Sequence, residues 1–94
     1  MSATQTFVWG SKATLEIKHK KCEMSLSVTS DVASSVRLKM KELNEGGMYP
    51  NNEISSGSIF SQFVITGEYN WNSRWRDFRK IIDKVLGINS TEQV

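Results

Sequence analysis

Two adjacent stretches, Ala13 to His19 and Cys22 to Thr29, alternate apolar and polar side chains, and few folds accommodate that pattern twice in succession. Ala13, Leu15, Ile17 and His19 share one face of the first, and Cys22, Met24, Leu26 and Val28 share one face of the second. A tight turn at Lys20-Lys21 joins them as an antiparallel hairpin. Ile17 then faces Met24, Leu15 faces Leu26 and Ala13 faces Val28. The same register sets Lys18 against Glu23 on the other face and His19 against Cys22. A slip of one residue would turn every apolar side chain to water. Lys-Lys lacks the Gly or Asn that primed turns favour, so the register rests on the alternation and not on the turn.

The segment Thr4–Trp9 reads as a further strand. With Gly10-Ser11-Lys12 as the loop, Phe7 falls opposite Leu15 and Trp9 opposite Ala13. A shorter loop would turn Val8 inward instead, and burying two aromatics outweighs burying one valine. Downstream, Ser30 or Asp31 can cap a helix to about Asn44, with Val32, Val36, Met40 and Leu43 as its inner stripe. Gly46-Gly47 stops it. A long connection over 46–58 follows, and Ile59 to Tyr69 reads as a strand with Ile59, Phe63, Ile65 and Tyr69 toward the helices.

The last helix spans Asn70 to Asn89. Trp71, Trp75, Phe78, Ile82 and Val85 recur at helical spacing, and Ile81 and Leu86 widen the stripe. Asn72 or Ser73 can cap its start, and Gly87 stops it. The order β-β-β-α-β-α, with one apolar face per strand, predicts an α+β fold: an antiparallel sheet of about four strands with two helices packed on one face. The chain reads as a single domain over 1–94, ordered from about 4 to 88, with 89–94 a frayed tail. The sequon Asn89-Ser90-Thr91 in that tail reads as a chance match.

At 38% hydrophobic and 23% charged residues the composition is that of a soluble globular protein. No apolar run is long enough for a membrane span. The opening residues lack the pattern of a signal peptide, and one cysteine gives no internal disulfide, so a cytoplasmic protein is expected. The net charge of +2 is unevenly placed. Residues 1–70 carry seven basic and seven acidic side chains, residues 71–87 carry five against two, and Glu92 makes up the balance. The excess therefore lies on the last helix.

Catalytic chemistry finds little support. The sole histidine and sole cysteine face each other in the predicted hairpin, but no third group orients the imidazole, and His19 reads as the rim of the core stripe. Two ligands fall short of a zinc site, and no phosphate-binding glycine motif occurs. No enzyme, metal or cofactor is expected. Four surface features remain. Arg76, Lys80 and Lys84 line up at i, i+4 spacing opposite the apolar stripe as a basic ridge, and Lys18, Lys20 and Lys21 form a second basic spot at the hairpin tip. Met48 and Tyr49 lie in the long connection, where binding residues commonly occur. Val8, Phe60 and Val64 point to the uncovered sheet face and would form an apolar patch for self-association, as in a homodimer, if the first and last strands are neighbours. These features describe a small non-enzymatic binding protein of the inhibitor, adaptor or immunity type, acting through a protein partner. The alternative is a nucleic-acid-binding protein using the basic helix face and the hairpin tip.

Overall fold

The computed structural model describes residues 3–45, 53–56 and 60–93. In chain order the elements are β1 (Thr4–Trp9), β2 (Ala13–Lys18), a 3-10 turn (His19–Lys21), β3 (Glu23–Thr29), α1 (Ser30–Glu45), β4 (Glu53–Ser56), β5 (Phe60–Thr66), α2 (Trp71–Leu86) and β6 (Thr91–Gln93). The strands form one antiparallel sheet in the order β4-β5-β3-β2-β1-β6. The four long strands are those expected from the alternation. Short strands β4 and β6 extend the sheet at either edge.

Both hairpin registers follow the sequence pattern. Ile17 pairs with Met24, Leu15 with Leu26, Ala13 with Val28 and Lys18 with Glu23, while Phe7 pairs with Leu15 and Trp9 with Ala13. The turn between β2 and β3 is longer than the expected Lys20-Lys21. His19–Lys21 forms a 3-10 turn, and Cys22 follows in the left-handed region at φ 48°. A non-glycine residue there costs about 1–2 kcal/mol. Two backbone bonds hold it: Cys22 N–H donates to His19 O at 3.2 Å, and Gly67 N–H donates to Cys22 O at 3.1 Å. His19 and Cys22 thus lie within the turn and do not face each other across strands.

The apolar face of the sheet supplies Phe7, Trp9, Leu15, Ile17, Met24, Leu26, Val28, Phe63 and Ile65 to one core. From α1 come Ala33, Val36 and Met40, with Val32 and Leu43 half-buried at the margin. From α2 come Trp71, Trp75, Phe78 and Ile82. Each large side chain buried in this way contributes about 1.5–3 kcal/mol, so four on one stripe fix the rotation of α2 about its axis. Tyr69 departs from the expected inward set: β5 ends at Thr66, and Tyr69 is 80% exposed in the turn before α2.

That turn also corrects the expected cap of α2. The helix begins at Trp71, preceded by Asn70 in the left-handed region (φ 52°) with no side-chain cap bond, so neither Asn72 nor Ser73 plays that part. Arg74 Nη1 braces the turn instead, donating to Gly67 O at 3.0 Å and Tyr69 O at 3.4 Å. Gly67 has φ 127°, a conformation that side chains rarely adopt, and a Cβ there would stand 3.1 Å from Arg74 Nη1. At the other end Gly87 adopts φ 68° and its N–H reaches Asp83 O at 2.9 Å, the glycine stop read from the sequence.

At the start of α1, Asp31 accepts from Lys12 Nζ and from Thr29 Oγ1. The Lys12 bond first, and the Thr29 bond second, hold the Asp31 carboxyl below the usual carboxylate range. Its folded-state value is thus depressed relative to the unfolded chain. The associated stability is present above the unfolded value and is lost as pH falls through the folded one. Melting temperatures of wild type and Asp31→Asn from neutral pH to about pH 2 should therefore differ at neutrality and converge below about pH 4. A gap independent of pH would show that Asp31 acts through something other than its charge.

Two expectations about the surface change. The first and last long strands are not neighbours, since β2 and β3 stand between β1 and β5. Val8 shares its row with Thr14, Ser27 and Gln62, whereas Val64 shares its row with Ser25, Glu16 and Thr6. The polar groups of the central strands separate the two valines, so the apolar patch expected from Val8, Phe60 and Val64 is not contiguous; the Phe60 side chain lies outside the described residues. Part of the tail expected to fray forms a strand. Thr6, Phe7 and Val8 pair with Gln93, Glu92 and Thr91 of β6.

Candidate functional site

The basic excess of the chain lies on α2, whose residues 71–87 carry five basic against two acidic side chains. Because Trp71, Trp75, Phe78 and Ile82 are locked inward, Arg76, Lys80 and Lys84 are forced outward, and all three are exposed. They stand about 6 Å apart along the helix axis. Among the described residues none of the three takes part in an ion pair. An Arg79–Asp83 pair at i, i+4 spacing could offset this ridge. The structure turns both partners elsewhere. Asp83 Oδ1 accepts from Trp9 Nε1 at 2.7 Å and from the Ser90 N–H at 3.0 Å. Arg79 Nε donates to Ser90 Oγ at 3.2 Å, and its guanidinium lies 4.1 Å from the centre of the Phe7 ring. Asp83 is thus occupied in holding β1, α2 and the entry to β6 together, which leaves the outer face with less acid than the sequence count implied.

The hairpin tip approaches the N-terminal half of the same helix. His19 packs edge-on to Trp71 and Trp75, with ring centres 6.0 and 5.3 Å away. Trp71 Nε1–H can only donate, and it reaches His19 Nδ1 at 3.1 Å. His19 Nδ1 therefore accepts, and the hydrogen sits on Nε2, which lies 2.7 Å from Gln5 Oε1. Gln5 Nε2 in turn donates to Glu92 at 3.4 Å. This chain of bonds ties the tip, β1, β6 and α2 together and brings the turn that carries exposed Lys20 and Lys21 to the Trp71–Trp75 end of the helix. Lys18 does not join them. It projects from the open face of the sheet, 3.7 Å from Glu16 and 3.9 Å from Glu23, with the sheet between it and the ridge.

With both imidazole nitrogens engaged by Trp71 and Gln5, neither serves as a base for Cys22. The thiol instead contacts His19 O at 3.7 Å. The Cys–His pairing considered from the sequence is thus a structural turn. Among the described residues no three His, Cys, Asp or Glu side chains converge as metal ligands, and no helix is long and apolar enough to cross a membrane. Met48 and Tyr49 lie outside the described residues.

Three residues at this surface were not singled out from the sequence. Gln5 carried no signal. Arg79 and Asp83 entered only the charge count of the helix, although a buried Trp9 requires an acceptor for its N–H, and that requirement could have drawn Asp83 inward. Comparison with protein-family models, curated proteins and solved structures found no match for the chain.

Proposed function

We propose that this protein is a small non-enzymatic binding module that engages an acidic face of a protein partner through the outer side of α2. One observation supports this reading most directly: Arg76, Lys80 and Lys84 are held outward together without carboxylate partners among the described residues. Like charges at i, i+4 repel by a few tenths of a kcal/mol per pair, about 0.2–0.5. The helix gains nothing from that arrangement by itself, whereas an acidic partner converts the repulsion into attraction and into faster encounter. Nucleic-acid binding is the second reading. It is favoured by the position of Lys20 and Lys21, which the His19–Trp71 bond brings to one end of the ridge.

Replacing Lys80 and Lys84 together by Glu tests the first reading. Both side chains are exposed, so the melting temperature should stay within a degree or two, about what surface substitutions cause. Capture of the partner from native lysate should weaken at least tenfold, about 1.4 kcal/mol, and the salt dependence of what remains should flatten. Capture that survives nuclease treatment supports a protein partner, and capture abolished by it supports the second reading. A double variant that binds as tightly as wild type at low salt reduces the ridge to a solvated helix face.

A further inference from the structure

Within the basic surface one spot is built differently from the rest. Arg76 lies with its guanidinium carbon 5.3 Å from the centre of the Trp75 ring, and Arg79 lies over Phe7 at 4.1 Å. The two rings are themselves stacked, with centres 6.1 Å apart. Two guanidinium groups one helical turn apart are therefore each held over a member of one aromatic pair. Ring contact restrains a side chain that is otherwise costly to order and leaves the edge of the planar fork free to donate. Arg79 uses Nε on Ser90, and no polar partner holds Arg76 among the described residues.

The geometry points to Arg76 and Arg79, each seated on a ring of the Trp75–Phe7 pair, as a recognition site for a carboxylate on an acidic polypeptide partner. This rests on the binding reading above and specifies the group that is read. A guanidinium fork matches a carboxylate bidentately. Arg76, Arg79, Lys80 and Lys84 supply four positive charges, while Asp83 already accepts from Trp9 and Ser90 and Glu92 from Gln5, so the surface presents an excess that a run of carboxylates on a polypeptide would meet group by group.

A deca-glutamate peptide, inorganic phosphate and a single-stranded oligonucleotide, each titrated at low salt by calorimetry and by tryptophan fluorescence, test the proposal. Wild type should bind the peptide and saturate, with weaker binding of phosphate and oligonucleotide. Arg76→Lys keeps the charge but loses the fork, and peptide binding should fall at least fivefold. Lys80→Arg, which keeps the charge away from the aromatic pair, should change it less than twofold. If Arg76→Lys binds the peptide as wild type does while the Lys80→Glu, Lys84→Glu variant does not, the carboxylate site is wrong and the charged ridge stands. If phosphate or the oligonucleotide binds more tightly than the peptide, or wild type binds no peptide, the carboxylate assignment fails.

Discussion

Leu26→Asp is expected to abolish cooperative folding. Leu26 is fully buried in β3, paired with Leu15 on one side and Phe63 on the other, and both helices pack on that face of the sheet. Removing the leucine side chain alone costs about 2–5 kcal/mol in a core of this kind. Aspartate adds the burden of a carboxylate without a hydrogen-bonding partner, worth several kcal/mol more unless it takes up a proton. A domain of this size has about 5–15 kcal/mol in total, so the two penalties together consume most of it. The variant should give flat thermal and denaturant profiles and collapsed amide dispersion, whereas Leu26→Met should cost under about 1.5 kcal/mol and melt cooperatively. A soluble Leu26→Asp protein with a sharp transition would mean that the side chain does not face the core.

That prediction could be written from the sequence because two facing strands each alternate, and each confirms the phase of the other. The same logic fixed Phe7 and Trp9 against Leu15 and Ala13. It failed where no periodicity existed to read. Strand β6 has the residues Thr91, Glu92 and Gln93, all exposed, and carries no apolar alternation. It is a strand because Thr6, Phe7 and Val8 offer an open edge and because Ser90 is anchored by Asp83 and Arg79. Sheet order was equally hidden. Nothing in the local pattern of Ile59 to Tyr69 says whether it adds beside β1 or beside β3, and the observed choice of β3 separates Val8 from Val64.

The candidate site was half legible. Arg76, Lys80 and Lys84 follow from helical spacing once the aromatic stripe is assigned, since the inward face dictates the outward one. The hairpin lysines divide by parity: Lys18 sits on the open face with Glu16 and Glu23, and only Lys20 and Lys21 sit beyond the strand ends. What helical spacing could not show was the fate of the intervening acids and arginines. Side chains on the border of a helical stripe, such as Arg79 and Asp83, can turn toward solvent or toward the neighbouring strand. The choice is made by an unsatisfied group on that strand. Here the group is the Trp9 indole N–H, whose ring is completely buried. The scaffold thus takes up one of the two carboxylates of α2, and the basic character of its outer face follows from a requirement of the core.

Asp83→Ala isolates that coupling. The substitution removes the acceptor of the Trp9 N–H and of the Ser90 N–H at once. A hydrogen bond to a charged group contributes about 1.5–3 kcal/mol, and a buried donor left without a partner costs about 1–3. A loss of about 2–4 kcal/mol by chemical denaturation is therefore expected, with the larger share from Trp9 because that ring is enclosed. Asp83→Asn keeps an acceptor oxygen and should lose less than half as much. Adding Trp9→Phe to Asp83→Ala removes both ends of the bond, so the double variant should be more stable than the sum of the single losses, with a coupling of about 0.5–3 kcal/mol. The local signature separates this from a general weakening of the core. Without its anchor at Ser90, β6 should release from β1, and hydrogen exchange at the amides of Thr91 and Gln93 should accelerate before that of β2 and β3. Arg76, Lys80 and Lys84 remain in place in this variant, so binding through the ridge should persist at temperatures where the domain is folded. If exchange in β6 is unchanged while stability falls, Asp83 supports Trp9 alone and the last strand holds to β1 by its backbone pairing.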